Sequence, residues 1–85
     1  MLQAEATATH GEAGVLRFAL HRSCEDPRDL IMIEVYRTEA DVEHHAHQPY
    51  FRELVERIPE LFDGRPTADR FERVPCGESP KGRLA

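Results

Sequence analysis

His44, His45 and His47 fall within four consecutive positions, with Tyr36 upstream and Tyr50 and Phe51 just downstream. Imidazole is the side chain that ordinarily titrates near neutrality, so a histidine in this cluster can give or take a proton at physiological pH. Glu34, alternating with Met32 and Tyr36, adds a carboxylate that can orient a histidine or bind a substrate hydroxyl. Rings at positions 36, 50 and 51 can wall in a flat substrate. Each candidate also has a plainer use. A histidine on a helix can simply face water, Glu34 can pair with Arg17 or Arg37, and Phe51 can be packing.

Two other chemistries are weaker. His44 and His47 stand three apart and share a helix face, so they can meet one metal ion. A third ligand, from Glu43 or His21, follows from no motif, and no metal is expected. Cys24 and Cys76 lie 52 positions apart in polar, turn-like stretches without paired spacing, and read as ordinary thiols.

These residues need elements to hold them. Residues 1–13 are rich in Ala and good helix formers, and a short helix ending near Gly11 fits them, although alternating Leu2, Ala4, Ala6 and Ala8 also permit a weak strand. Residues 15–22 alternate, with Leu16, Phe18 and Leu20 on one face and Arg17, Ala19 and His21 on the other. Polar residues 23–29, with Pro27, make a hairpin loop, and a second strand follows over 30–37. There Ile31, Ile33 and Val35 share one face, and Met32, Glu34 and Tyr36 the other. Thr38, with Asp41 three residues on, predicts a capped helix start. Pro49 must kink that helix or open a second one, and Pro59 with Asp63 and Gly64 should end it. Val42, Ala46, Tyr50, Leu54 and Ile58 recur every four residues, the stripe of a helix lying on a sheet. Residues 67–74 alternate weakly as a last strand with Phe71 and Val74 as core candidates, and 75–85 reads as a disordered tail.

The expected fold is α+β: an antiparallel sheet with helices on one face, spanning residues 1–74. The uncovered face is expected to carry Arg17, Ala19, His21, Met32, Glu34 and Tyr36, with a second copy of the chain covering it. A chain of 85 residues has room for one core and buries only ~60% of its unfolded surface, so a homodimer is a natural way to add burial. The net charge of −5 disfavours nucleic acid and anionic membrane as partners. The sequence contains no run of about 18 apolar residues and no secretory pattern at its start, so a cytoplasmic location is expected.

Residues 14–73 resemble the antibiotic biosynthesis monooxygenase family. The resemblance rests on GVLRFALHR at 14–22, the Asp26–Pro27 turn, IEVYRTEADVEHHAHQPYF at 33–51 and TADRFERV at 67–74. The family pattern of Glu, one residue, then an aromatic on the second strand matches Glu34 and Tyr36. Its helical histidine before a Pro-aromatic step matches His45, Pro49, Tyr50 and Phe51. The resemblance implies a ferredoxin-like domain of the dimeric α+β-barrel type, paired through its sheets. It also implies that the chain starts downstream of the family's first strand and part of its first helix.

What it implies for function is a cofactor-independent monooxygenase that uses dioxygen on a small hydroxylated aromatic or quinol. His45 and Glu34 would be catalytic, and Tyr36, Tyr50, Phe51 and His21 would bind substrate. Haem-degrading relatives place a histidine where this chain has Val55, so that chemistry is not implied. Two alternatives remain open. One is an isomerase of a small phosphorylated hydroxy-dicarbonyl, which would need Arg17, Arg37 or Arg52 in the pocket. The other is a non-catalytic small-molecule-binding or dimerisation domain. The catalytic reading requires His45 to reach a dry hollow between the helix of 38–58 and the sheet.

Overall fold

The computed structural model describes residues 2–64 and 66–82. Its elements in chain order are α1 (Leu2–Thr9), β1 (Val15–Arg22), β2 (Leu30–Tyr36), α2 (Glu39–Ala46), α3 (Pro49–Leu61) and a 3-10 turn at Pro80–Gly82. The result is an α+β domain with three α-helices and an antiparallel pair of strands. Among the described residues no helix is long and apolar enough to cross a membrane.

The Ala-rich start forms a helix, not a strand, and Gly11 follows its last turn by donating to the Ala8 carbonyl at 3.1 Å. Two further backbone bonds then turn the chain into β1, from the Glu12 amide to the Thr9 carbonyl (2.9 Å) and from the Val15 amide to the Glu12 carbonyl (3.1 Å). The loop between the strands is closed by the Ser23 hydroxyl, which accepts from the amides of Glu25 and Asp26, both at 3.1 Å.

The strand register corrects the expected faces. Phe18 pairs with Glu34 and Leu20 with Met32, while Arg17, Ala19 and His21 pair with Val35, Ile33 and Ile31. Directly paired residues of antiparallel strands point to the same side of the sheet. Glu34, Met32 and Tyr36 therefore share the helix-covered face with Phe18, and the other face holds Arg17, Ala19, His21, Ile31, Ile33 and Val35. An irregularity between Val15 and Arg17 pairs Val15 with Tyr36 and leaves Leu16, 46% exposed, out of the stripe it was expected to join. Alternation within one strand fixes which residues share a side, but register decides which sides meet.

Helix α2 begins as expected. The Thr38 side chain accepts from the Asp41 amide at 3.3 Å, and its hydroxyl donates to the Asp41 carboxylate at 2.8 Å. Arg37 completes the cap as an ion pair with Asp41 at 3.3 Å. Pro49 opens α3 in the first turn, where its missing N–H costs nothing. Pro59 does not end α3: the helix runs on to Leu61, because proline removes one ladder bond without forbidding the turn that follows.

The expected last strand is absent among the described residues. Residues 67–74 carry no strand, and Phe71 and Val74 are 91% and 78% exposed rather than core. A pattern of weak alternation cannot make a strand without a partner edge to bond. Part of the expected tail, residues 83–85, lies outside the described residues.

Burial is concentrated and unusual in kind. Phe18 is the one buried apolar side chain reported for the described residues, and it is joined by Glu5, Thr9 and His45. Gly14 is also buried, and a Cβ there would overlap the Asp41 side chain down to its own Cβ. Gly14→Ala should therefore push Asp41 off its cap and lower stability by about 1–3 kcal/mol in urea unfolding. A variant as stable as the parent would show that the turn can shift freely.

Candidate functional site

The buried polar residues are one cluster. His45 occupies the last full turn of α2 and is 4% exposed. Its Nδ1 lies 2.8 Å from Glu12 Oε2, and the Tyr50 hydroxyl from α3 donates to that same oxygen. An oxygen that accepts from two donors is best served as a carboxylate, which places the imidazole proton on Nδ1. On the other side of the ring, Nε2 stands 3.7 Å from Glu5 Oε1. The Thr9 hydroxyl, one helical turn from Glu5, lies 3.0 Å from that Oε1. Four aromatic rings surround the imidazole, at centroid distances of 5.0 Å for Phe51, 5.4 Å for Phe18, 5.8 Å for Tyr36 and 6.3 Å for Tyr50.

The electrostatics follow from dryness. Burial pushes the Glu5 carboxyl above its ordinary range, opposed by the Thr9 bond and by the His45 charge. Both phenols are pushed up as well, first by burial. For Tyr36 the next cause is its 2.7 Å bond to Glu34, and for Tyr50 it is the bond to Glu12. Two carboxyl oxygens, Glu5 Oε2 and Glu12 Oε1, are buried without a hydrogen-bond partner among the described residues. The cluster can thus take up a proton at Glu12 through Tyr50, with the His45 Nδ1–H held on the same carboxylate.

Comparison with known proteins identifies the domain that carries this cluster. The profile of the antibiotic biosynthesis monooxygenase family matches residues 2–57. The chain belongs to that family. It is 28% identical over 53 residues to an uncharacterized protein from Synechocystis sp., covering 62% of this chain and 36% of that protein. A protein from Methanosarcina mazei Go1 has the same fold, with a TM-score of 0.70 at 22% identity, covering 74% of this chain and 62% of the other. A Pseudomonas aeruginosa protein superposes with a TM-score of 0.69 at 28% identity, covering 74% and 64%. The chain therefore spans about a third of the curated relative it matches and less than two thirds of these two solved structures. The fold is the ferredoxin-like α+β type of the family.

Within this family member, the structure gathers His45, Tyr36, Tyr50 and Phe51, and it attaches Glu34 through the Tyr36 hydroxyl. His21 is elsewhere. It lies exposed on the opposite sheet face, with its ring on the Ala19 carbonyl at 3.1 Å. His44 and His47 are exposed and engaged by Gln48 and the Glu43 carbonyl, and the described residues contain no group of three His, Cys, Asp or Glu suited to a metal. Arg37 belongs to the Asp41 cap. Cys24 and Cys76 are free and exposed.

Sequence reasoning did not find Glu5, Glu12 or Thr9. Glu5 and Thr9 share a face by their spacing of four, but Glu12 sits in a turn where no periodicity signals an inward side chain. The expected hollow is also different. His45 does turn inward into a dry space, but Glu5, Glu12 and the four rings fill it. A depression of about 370 Å³ lies beyond Phe18, lined by His10 and residues 15–19. Phe18 is among the residues lining that depression, and its ring lies 5.4 Å from the imidazole.

Tyr36 and Tyr50 are the only tyrosines in the chain, so their ionisation can be read directly. The folded protein should show little tyrosinate absorbance near pH 10, where free phenols are half ionised. Stability contributed by the neutral phenols is intact below pH 10 and is lost as pH rises above it, so absorbance and unfolding should appear together. Ionisation of both phenols at pH 10 in a protein that is still folded would contradict the geometry.

Proposed function

We propose that this member of the antibiotic biosynthesis monooxygenase family is a cofactor-independent monooxygenase acting on a small hydroxylated aromatic, a quinol. The observation that carries the proposal is the dry imidazole of His45, bonded to Glu12 at 2.8 Å inside a ring of aromatic side chains. Side chains fill the hollow that direct contact with His45 would need. Substrate therefore lies outside it, against the half-buried faces of Tyr36, Tyr50 and Phe51 with Glu34 exposed at their edge, and His45 acts through Glu12. The quinol loses a phenolic proton to the Tyr50 hydroxyl as Tyr50 passes its own to Glu12, the carboxylate that His45 holds from Nδ1. The electron-rich anion passes one electron to dioxygen. Superoxide and the semiquinone radical recombine to a peroxide, which takes the proton back. Loss of water then leaves a hydroxyquinone, so one quinol and one dioxygen become one hydroxyquinone and one water. A neutral, hydrogen-bonded wall around the anion replaces the water it has lost.

On the same reading the protein works as a homodimer through the sheet face that bears Ala19, Ile31, Ile33 and Val35. Ile31 is 62% exposed there, and apolar surface of that kind favours a second copy. Ile33→Glu should convert a dimeric mass in light scattering to a monomeric one. A parent chain that is already monomeric at micromolar concentration removes this part of the proposal.

Oxygen-electrode measurements with a panel of quinols test the chemistry. The parent should consume one dioxygen per quinol, and His45→Ala should lower kcat by ~100-fold or more. Absence of uptake by the parent, or an unchanged rate in the variant, defeats the proposal.

A further inference from the structure

We propose that Glu5 is a positioning residue that acts through the Nε2 side of His45, so that the imidazole is governed by two carboxyls from two different segments. Glu12 holds Nδ1 at 2.8 Å from the turn after α1, and Glu5 stands 3.7 Å from Nε2 on α1 itself. Glu5 is 4% exposed, and its Oε2 has no hydrogen-bond partner among the described residues. Two ionised carboxylates beside one imidazole would leave net negative charge in a dry space. Glu12, with donors from both His45 and Tyr50, is the one suited to carry that charge. Glu5 is suited to hold a proton while the imidazole is neutral and to release it when the imidazole is charged. The groups that face it are Thr9 on its own helix, Glu12 in the turn, Glu34 on β2 and His45 on α2, and both carboxylates push its carboxyl in the same direction as burial. Ionised Glu5 then steadies the imidazolium across the 3.7 Å gap, and neutral Glu5 lets the ring give its proton up.

The role in turnover rests on the monooxygenase reading, but the coupling between Glu5 and His45 does not. Glu5→Gln keeps the side-chain volume and an acceptor for Thr9 while removing the ionisable proton. Nitrogen-15 NMR of the His45 ring across pH should show a response to a second ionisation in the parent, and that response should vanish in Glu5→Gln. With quinol, kcat should fall about tenfold at unchanged KM, less than the ~100-fold effect of a general acid or base itself. Glu5→Asp, which restores a carboxyl, should recover part of both. Identical ring titrations in parent and Glu5→Gln overturn the proposal. If the variant fails to fold by circular dichroism, the parent alone decides, because a ring that senses no second ionisation also overturns it. If the parent oxidises no quinol, the monooxygenase reading fails while the NMR result still decides the role of Glu5.

Discussion

Because His45 comes from α2 and Glu12 from the turn after α1, the 2.8 Å bond between them can form only when both segments lie over the same sheet face. Tyr50 reaches the same carboxylate from α3, and Phe18 and Tyr36 meet the imidazole from β1 and β2. Side chains from α2, α3, β1, β2 and the turn after α1 thus converge around this one bond. Removing His45 would leave the buried Glu12 carboxyl short of a donor, at a cost of about 1–3 kcal/mol. That is a large fraction of the stability available to a domain of this size.

The polar centre explains the uneven packing around it. A domain of 85 residues has little apolar surface to spare, and here its most protected positions go to Glu5, Thr9 and His45 beside Phe18. Rings suit the shell of such a centre because they exclude water while their edges and hydroxyls still meet polar groups. Tyr36 and Tyr50 do so directly, each giving its hydroxyl to a carboxylate. The consequence is a site whose polar groups are held by one another. Leu16, Val55 and Leu61 stay substantially exposed.

The elements were legible where a local rule acts alone. Thr38 with Asp41 marks the start of α2, Pro49 that of α3, Gly11 the end of α1, and alternation marks both strands. His45 and its aromatic neighbours were visible through the family pattern. What was not visible depends on long-range choices. The pairing of Phe18 with Glu34 is a matter of register, and the irregularity after Val15 shifts Leu16 out of line, so the assignment of the two faces could not be read from either strand alone. Glu12 turns inward because a turn aims it there, and turns carry no period. Residues 67–74 alternate, but alternation states only what a strand would look like once it had an edge to join.

Phe18 belongs to both the depression along β1, which it helps line, and the imidazole's surroundings, where its ring lies 5.4 Å from His45. The depression presents Arg17 and His10, whereas the imidazole is bordered by Tyr36, Tyr50 and Phe51, the side on which the proposed reaction places its substrate. Those rings are half-buried, and Tyr50 is bonded to the carboxylate that holds His45, so an approach from that side contacts the proton path before it contacts the histidine. On the proposed reading, a relay entered through Tyr50 and ending on Glu12 takes up the proton while the imidazole behind it stays dry, and the same dryness keeps a phenolic anion from being quenched by water before it meets dioxygen.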